Sequence, residues 1–137
     1  MLETERLLLR RPRPDDVEAA RLFERDLAAW LEQWELHGVG TFLVERRADG
    51  ELVGRVGVKF FDGHPELGWT LLPRHEGNGY ATEAARAVRD WYAAEYLISL
   101  IAPDNVRSER VAERLGARPS TTVRAEGADW VVWEHPR

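Results

Sequence analysis

Residues 66–88 read ELGWTLLPRHEGNGYATEAARAV, and the punctuation of this stretch decides the fold. PELGWTLLP, residues 65–73, has the composition of a strand closed by Pro73. Behind the glycines, Ala81, Ala84, Ala85, Val88, Trp91 and Tyr92 recur at helical spacing, with Arg86, Arg89 and Asp90 opposite. Gly77 and Gly79 therefore form a side-chain-poor turn at the mouth of a helix. The first N–H groups of a helix lack intrahelical partners and carry the positive end of its dipole, so an anion is well placed there. Ala81 leaves the approach open and Thr82 adds a hydroxyl in the first turn. Taken alone, the pattern fits a tight turn before a helix equally well. It is not a Walker loop, because no Gly-Lys-Ser/Thr follows, and it lacks the third glycine of a dinucleotide fingerprint.

Outward from this unit, the chain alternates strands and helices. ERLLLRRP reads as a short strand ended by Pro12. Asp15 followed by Glu18 fits a capping box. Leu22, Phe23, Leu27, Trp30, Leu31 and Trp34 then give one long or two short amphipathic helices, ended by Gly38 and Gly40. Two β-rich runs flank Ala48-Asp49-Gly50, a hairpin whose Asp-Gly supplies positive φ. LISLIA reads as a strand covered on both faces. NVRSERVAERLGA is a helix with Gly116 as its C-terminal cap, and the tail is a hairpin turning at Glu126-Gly127. The expected order is β-α(α)-β-β-β-α-β-α-β-β: an α/β (α+β) fold, a mixed, mostly antiparallel sheet flanked by helices, in a single domain over 1–137.

Composition narrows the chemistry. The formal charge of −5 disfavours nucleic acid, whose phosphates reward a basic face, and suits a cationic acceptor such as an amine. No cysteine is present, which excludes disulfides, thiolate metal sites and a cysteine nucleophile. His37, His64, His75 and His135 form no i, i+4 pair, so no metal is expected. The apolar run near the start is too short for a signal-peptide core or a membrane span, so a cytoplasmic protein is expected.

The second informative segment is IAPDNVRSERVAERLGA, residues 101–117. Ser108 shares a helical stripe with Val111, Ala112 and Leu115, while Glu109, Arg110, Glu113 and Arg114 face away. A hydroxyl on a core-side stripe needs a partner, either a carbonyl one turn back or a ligand. Asn105 is placed to cap this helix.

Together, in this order and separation, the two segments resemble the GCN5-related N-acetyltransferases (GNAT), and within them the RimJ/RimL-like ribosomal-protein N-terminal acetyltransferases. TERLLLRRPRPDD at 4–16 and DWVVWEHP at 129–136 extend the resemblance across almost the whole chain. It implies acetyl-CoA as donor, its pyrophosphate on the turn Gly77, Asn78, Gly79, Tyr80, Ala81 and Thr82. It further implies a pantetheine arm paired with the backbone of Leu71 and Leu72, flanked by Asn105 and Ser108. The phosphate motif admits two registers. Arg74, Gly77 and Gly79 spell it literally; aligning the helix start instead places Gly79 and Ala81 in the small positions, with Glu76 where Arg or Gln is usual. The second register is preferred, leaving Arg74 as a helper and Glu76 as a liability beside an anion.

The resemblance implies direct attack of an amine on the thioester. The attacking nitrogen must be neutral: about a quarter of α-amines are so near pH 7.4, against about 0.1% of lysine side chains. Glu66, opening its strand, is the candidate base, the alternative being an exposed strand-end residue. A backbone N–H near Leu71 or Leu72 meets the oxyanion. Where many relatives carry a tyrosine acid, this chain has Ala112, so Ser108 is the candidate to protonate or hydrogen-bond the departing sulfur. Trp30, Trp34 and Trp69 are candidates to line the acceptor pocket. The expected activity is acetyl transfer to a protein N-terminus or a small amine, by a monomer or homodimer; the same motifs also fit a module that holds CoA without turnover.

Overall fold

The computed structural model describes residues 1–136. Its strands are β1 (Leu2–Glu3), β2 (Leu7–Arg10), β3 (Thr41–Arg46), β4 (Leu52–Phe61), β5 (His64–Leu71), β6 (Ile98–Ile101), β7 (Arg118–Ala125) and β8 (Ala128–Glu134). Its helices are α1 (Val17–Leu22), α2 (Leu27–His37), α3 (Tyr80–Tyr92) and α4 (Val106–Arg114), with a 3-10 turn at Pro73–His75. The strands form one sheet in the order β1-β2-β3-β4-β5-β6-β8-β7. Every neighbouring pair is antiparallel except β5–β6, which α3 joins by a crossover connection.

The hairpins follow from their glycines. Gly50 at φ 74° turns β3 into β4, and Glu126-Gly127, at φ 52° and 77°, turns β7 into β8. Asp62-Gly63 does the same between β4 and β5, at φ 49° and 78°. Alternation along β3 then sorts the core. Phe42 and Val44 join Val56, Val58 and Leu67 beneath the α3 stripe of Ala81, Ala84, Ala85 and Val88. Leu43, on the opposite face, packs with Ala20, Phe23 and Trp30 of the α1–α2 segment. No helix among the described residues is long and apolar enough to cross a membrane.

Of the two expected forms of the first helical segment, the structure has the two short helices, separated where Glu24 takes φ 54°. Two local expectations are corrected. No capping box forms at Asp15–Glu18. The helix starts after Asp16, whose carboxylate accepts from Arg10 Nη1 and Nη2 at 2.9 and 2.8 Å and from the Arg13 N–H, while Glu18 pairs with Arg21. The long-range arginine outcompetes the local cap because a bidentate guanidinium–carboxylate pair is the stronger contact. Trp91 leaves the buried stripe and lies half-exposed, 5.5 Å from the Phe42 ring and 6.2 Å from that of Trp34.

Candidate active site

The mouth of α3 is stripped of side chains. Gly77 and Gly79 both sit in the left-handed region, at φ 86° and 80°, and Gly79 is the residue that caps the helix. Thr82, in the first turn, is buried and its Oγ1 has no protein partner. Arg6 closes one side of the turn. Its Nη1 donates to the Asn78 carbonyl at 2.9 Å, its Nε donates to Glu83 Oε1 at 2.7 Å, and its guanidinium lies 4.6 Å over the Tyr80 ring. Burial raises the Glu83 carboxyl, but hydrogen bonds from Thr4 and Arg6 outweigh it and hold the group below the usual carboxylate range.

Beside this turn, the sheet opens. β5 and β6 are paired only at Glu66–Ile98, although β5 continues to Leu71. Leu72 N–H donates to Val53 O at 2.9 Å, so in the antiparallel β4–β5 ladder the main-chain groups of Leu71 and Trp69 point the other way, into the gap beside β6. The point of divergence is pinned by Ser99. Its Oγ donates to Leu67 O at 2.6 Å and lies 2.8 Å from His135 Nε2, so the imidazole is the donor to Oγ. Burial, helped by Arg89, pushes the His135 pKa down to about 4, leaving the ring neutral.

Glu66 stands where the strands part. It is 4% exposed, its Oε1 accepts a long bond of 3.4 Å from Leu100 N–H, and its buried Oε2 has no partner. Burial raises its pKa; Lys59, the Leu100 N–H and Arg55 pull the other way without cancelling the rise. A carboxylate so placed holds a proton more tightly than a solvated one and is a candidate proton acceptor.

Two hollows meet at this point. One, about 1390 Å³, runs from the α3 mouth along α4 and is lined by Gly77, Gly79, Ala81, Thr82, Leu71 and Asn105. The other, about 600 Å³, contains Glu66, Gly68, Arg55 and Trp30. Trp69, Thr70 and Ser108 line both. Ser108 is half-buried on α4, its N–H bonded to the capping Asn105 Oδ1 at 3.3 Å, and its hydroxyl makes no hydrogen bond among the described residues. A group bound along the first hollow can thus deliver its end to a group held beside Glu66.

Residues 6–118 match the profile of a family described as the acetyltransferase (GNAT) domain. The chain belongs to the GNAT family. It is 34% identical over 119 residues to the uncharacterised protein YkkB of Bacillus subtilis (strain 168), covering 80% of this chain and 69% of that one. It is 32% identical over 101 residues to YnaD of the same strain, an uncharacterised N-acetyltransferase, covering 69% of this chain and 59% of YnaD. An acetyltransferase from Agrobacterium tumefaciens str. C58 superimposes with a TM-score of 0.83 at 32% identity, covering 99% of this chain and 94% of that one. A ribosomal-protein-S5-alanine acetyltransferase from Vibrio fischeri shares the fold, with a TM-score of 0.78 at 19% identity over 97% and 94% of the two chains. This GNAT domain is an acyl-transferring enzyme, and the donor of its family is acetyl-CoA. The α3 mouth fits such a donor: two positions carry no side chain, and the Thr82 hydroxyl is buried without a partner.

The GNAT fold distributes the sequence candidates unevenly. Gly77, Gly79, Ala81, Thr82, Leu71, Asn105 and Ser108 line the donor hollow. Asn78 and Tyr80 are not among the residues lining it: the Asn78 side chain bonds back to His75 O, its carbonyl accepts from Arg6, and the Tyr80 ring is buried. Leu72 has already committed its N–H to Val53, so it does not serve as an oxyanion donor. Arg74 turns away from the phosphate turn to Glu51 at 3.2 Å and His75 at 3.2 Å. Glu76 is no liability, because Arg107 Nη1 pairs with it at 2.6 Å. Trp30 and Trp69 line the second hollow, whereas Trp34 is core: its indole N–H donates to Thr41 O at 2.8 Å. Ala112 is fully buried among Ile101, Ala117 and Trp133. Sequence reasoning missed Arg86, Arg107, Arg110 and Arg114, which line the donor hollow, because arginines on solvent-facing helix stripes read as ordinary surface; a count of arginines on the helix faces flanking the glycine turn was the available signal. It also missed Arg6, before β2, and Arg55, on β4, whose places depend on strand pairing.

Proposed function

We propose that this protein is a single-domain acetyl-CoA-dependent N-acetyltransferase that moves the acetyl group directly to a primary amine bound beside Glu66. The observation that carries this reading is the junction of the two hollows at Trp69, Thr70 and Ser108, with the α3 mouth on one side and, on the other, a buried carboxylate whose Oε2 has no partner among the described residues. Acetyl-CoA supplies an activated thioester carbonyl when bound. The free N–H groups of the α3 first turn and the Thr82 hydroxyl hold its pyrophosphate, and Arg6 braces the turn. Trp69 and Leu71 offer main-chain groups to the pantetheine arm and one N–H to the developing oxyanion.

Glu66 takes a proton from the attacking ammonium, so the nitrogen is neutral as the C–N bond forms. Ser108 donates a hydrogen bond to the sulfur as the C–S bond breaks. Arginines at 86, 107, 110 and 114 line the donor hollow and attract polyphosphate. The test is release of CoA thiol from acetyl-CoA against a panel of amines and N-terminal peptides, run beside a thermal melt with acetyl-CoA. Release supports transfer. Stabilisation without release supports a sensor that holds CoA, and neither result leaves the donor assignment wrong.

A further inference from the structure

The hollow around Glu66 contains a cation without a partner among the described residues. Arg55 lies on β4 directly opposite Thr70 of β5 and lines this hollow. Its Nε is buried with no hydrogen bond, and no carboxylate lies within ion-pair distance of it among the described residues. By contrast, Arg6, Arg10, Arg46, Arg74, Arg89 and Arg107 each have a carboxylate at 3.3 Å or closer. Burial lowers the Arg55 guanidinium to about 10, with Arg25 adding repulsion and Glu66 opposing the fall from a distance. Arg55 as a whole is half-buried: its Nε is shut off from solvent, and the rest of the guanidinium lines the hollow, where a ligand can complete it.

Its neighbours define what that ligand looks like. Along β5, Thr70, Gly68 and Glu66 alternate onto the face that Arg55 shares, and four residues of strand span roughly 13 Å. Gly68 in the middle is bare, and a β-carbon there would meet only Glu66 Oε2, at 3.5 Å. Phe23 lies under the guanidinium, its ring centre 5.7 Å from Arg55 Cζ, and backs one face of it. The floor thus has a proton acceptor leaning over the bare step at Gly68 and a planar cation rooted opposite Thr70, two residues or roughly 7 Å of strand further on.

We propose that the acceptor is a small amino acid, its amine at Glu66 and its free carboxylate on the Arg55 guanidinium. The inference rests on the transferase reading above and adds the substrate class. A guanidinium matches a carboxylate two bonds at a time, which no backbone carbonyl does. A peptide N-terminus carries an amide where the amino acid carries the acid, so it leaves Arg55 unanswered. In the transfer, one ammonium proton passes to Glu66, the neutral nitrogen bonds to the acetyl carbon as the C–S bond breaks, and the second proton that nitrogen sheds as the amide forms goes to the departing thiolate, which leaves as CoA thiol. The carboxylate is unchanged and serves only to hold the molecule.

The experiment compares amino acids with their own carboxamides by thiol release. The carboxamide amine is the more easily deprotonated of the two, having lost a negative neighbour, so intrinsic reactivity favours the carboxamide. The expected result is the reverse: kcat/KM about 10-fold or more higher for the acid. Arg55→Gln should collapse that ratio mainly through KM of the acid, and Arg55→Lys should restore part of it. If Arg55 merely balances the charge of Glu66, Arg55→Gln lowers kcat for acid and carboxamide alike and keeps the ratio, which overturns the proposal. Wild-type turnover of N-terminal peptides or carboxamides as efficiently as of amino acids overturns it without any variant. A calorimetric titration of the CoA-bound protein gives a readout free of turnover: the amino acid should bind and the carboxamide should not. If no amine releases thiol, the transferase reading fails; the carboxylate site then stands or falls on the titration.

Discussion

Glu66→Gln separates the chemical role of this carboxylate from its structural one. The amide retains an oxygen for the Leu100 N–H, now a weak 3.4 Å bond, and occupies the same volume. What disappears is the ability to take a proton. General base catalysis contributes about 100- to 10,000-fold, so kcat/KM near pH 7.5 should fall by roughly 100-fold or more. Stability should move the other way. The folded-state pKa of Glu66 is raised by burial, so the folded protein binds the proton more tightly than the unfolded chain. The stability this gives is fully present below the unfolded pKa and is lost as pH rises through the folded one. Above the folded pKa the wild type therefore carries a cost that glutamine lacks, and there the variant should melt at an equal or higher temperature. The wild-type rate should fall as pH drops through the raised pKa of Glu66, on top of the acceptor amine's own titration; the variant should keep only the amine limb. A loss in kcat/KM smaller than about 3-fold, with the acid limb unchanged, refutes the base assignment. A lower melting temperature in the variant refutes the burial argument instead.

Three further outcomes follow from the same geometry. Ser108→Ala should lower kcat/KM by about 10-fold with acetyl-CoA affinity, followed by calorimetry, little changed; an unaltered kcat/KM rules out contact with the leaving sulfur. Thr82→Val removes a buried hydroxyl without a partner, so the apoprotein should be stabilised by about 1 kcal/mol while CoA binds several-fold more weakly; equal affinity would show that Thr82 does not touch the donor. Because the His135 pKa is lowered to about 4 from 6.5, the unfolded chain binds the extra proton first as pH falls. Stability is then complete above about 6.5 and declines toward pH 4, by up to about 3 kcal/mol, and denaturant melts of wild type and His135→Gln should differ in slope across that window.

Some of the site was legible before any fold was known. Gly77, Gly79 and Thr82 are placed by the helix they precede, a matter of a few residues of chain, and Asn105 caps α4 through its own third neighbour, Ser108. Arg74 was misplaced for the complementary reason. Its side chain sits close to the turn in sequence, but Glu51 on the neighbouring hairpin is a better partner than a turn it would have to reach back to. Glu76 became harmless only because α4 folds across the turn and brings Arg107 to it.

The sequence by itself determined the order of elements, the glycines that turn and cap them, and the membership in a family that handles acetyl-CoA. The elements and their caps depend on residues within one turn or one hairpin of each other, where backbone sterics and hydrogen-bond reach decide the outcome; the family shows in the order and separation of two such segments. Only the tertiary structure decided that Glu66 is buried where β5 and β6 part, that Leu72 has no N–H to offer, that Trp34 is core, and that Arg55 faces the same hollow with no partner among the described residues. Those facts depend on which strand lies beside which and in what register. A shift of one residue along β4 would turn Arg55 to the opposite face of the sheet, and no local pattern in the chain records that choice.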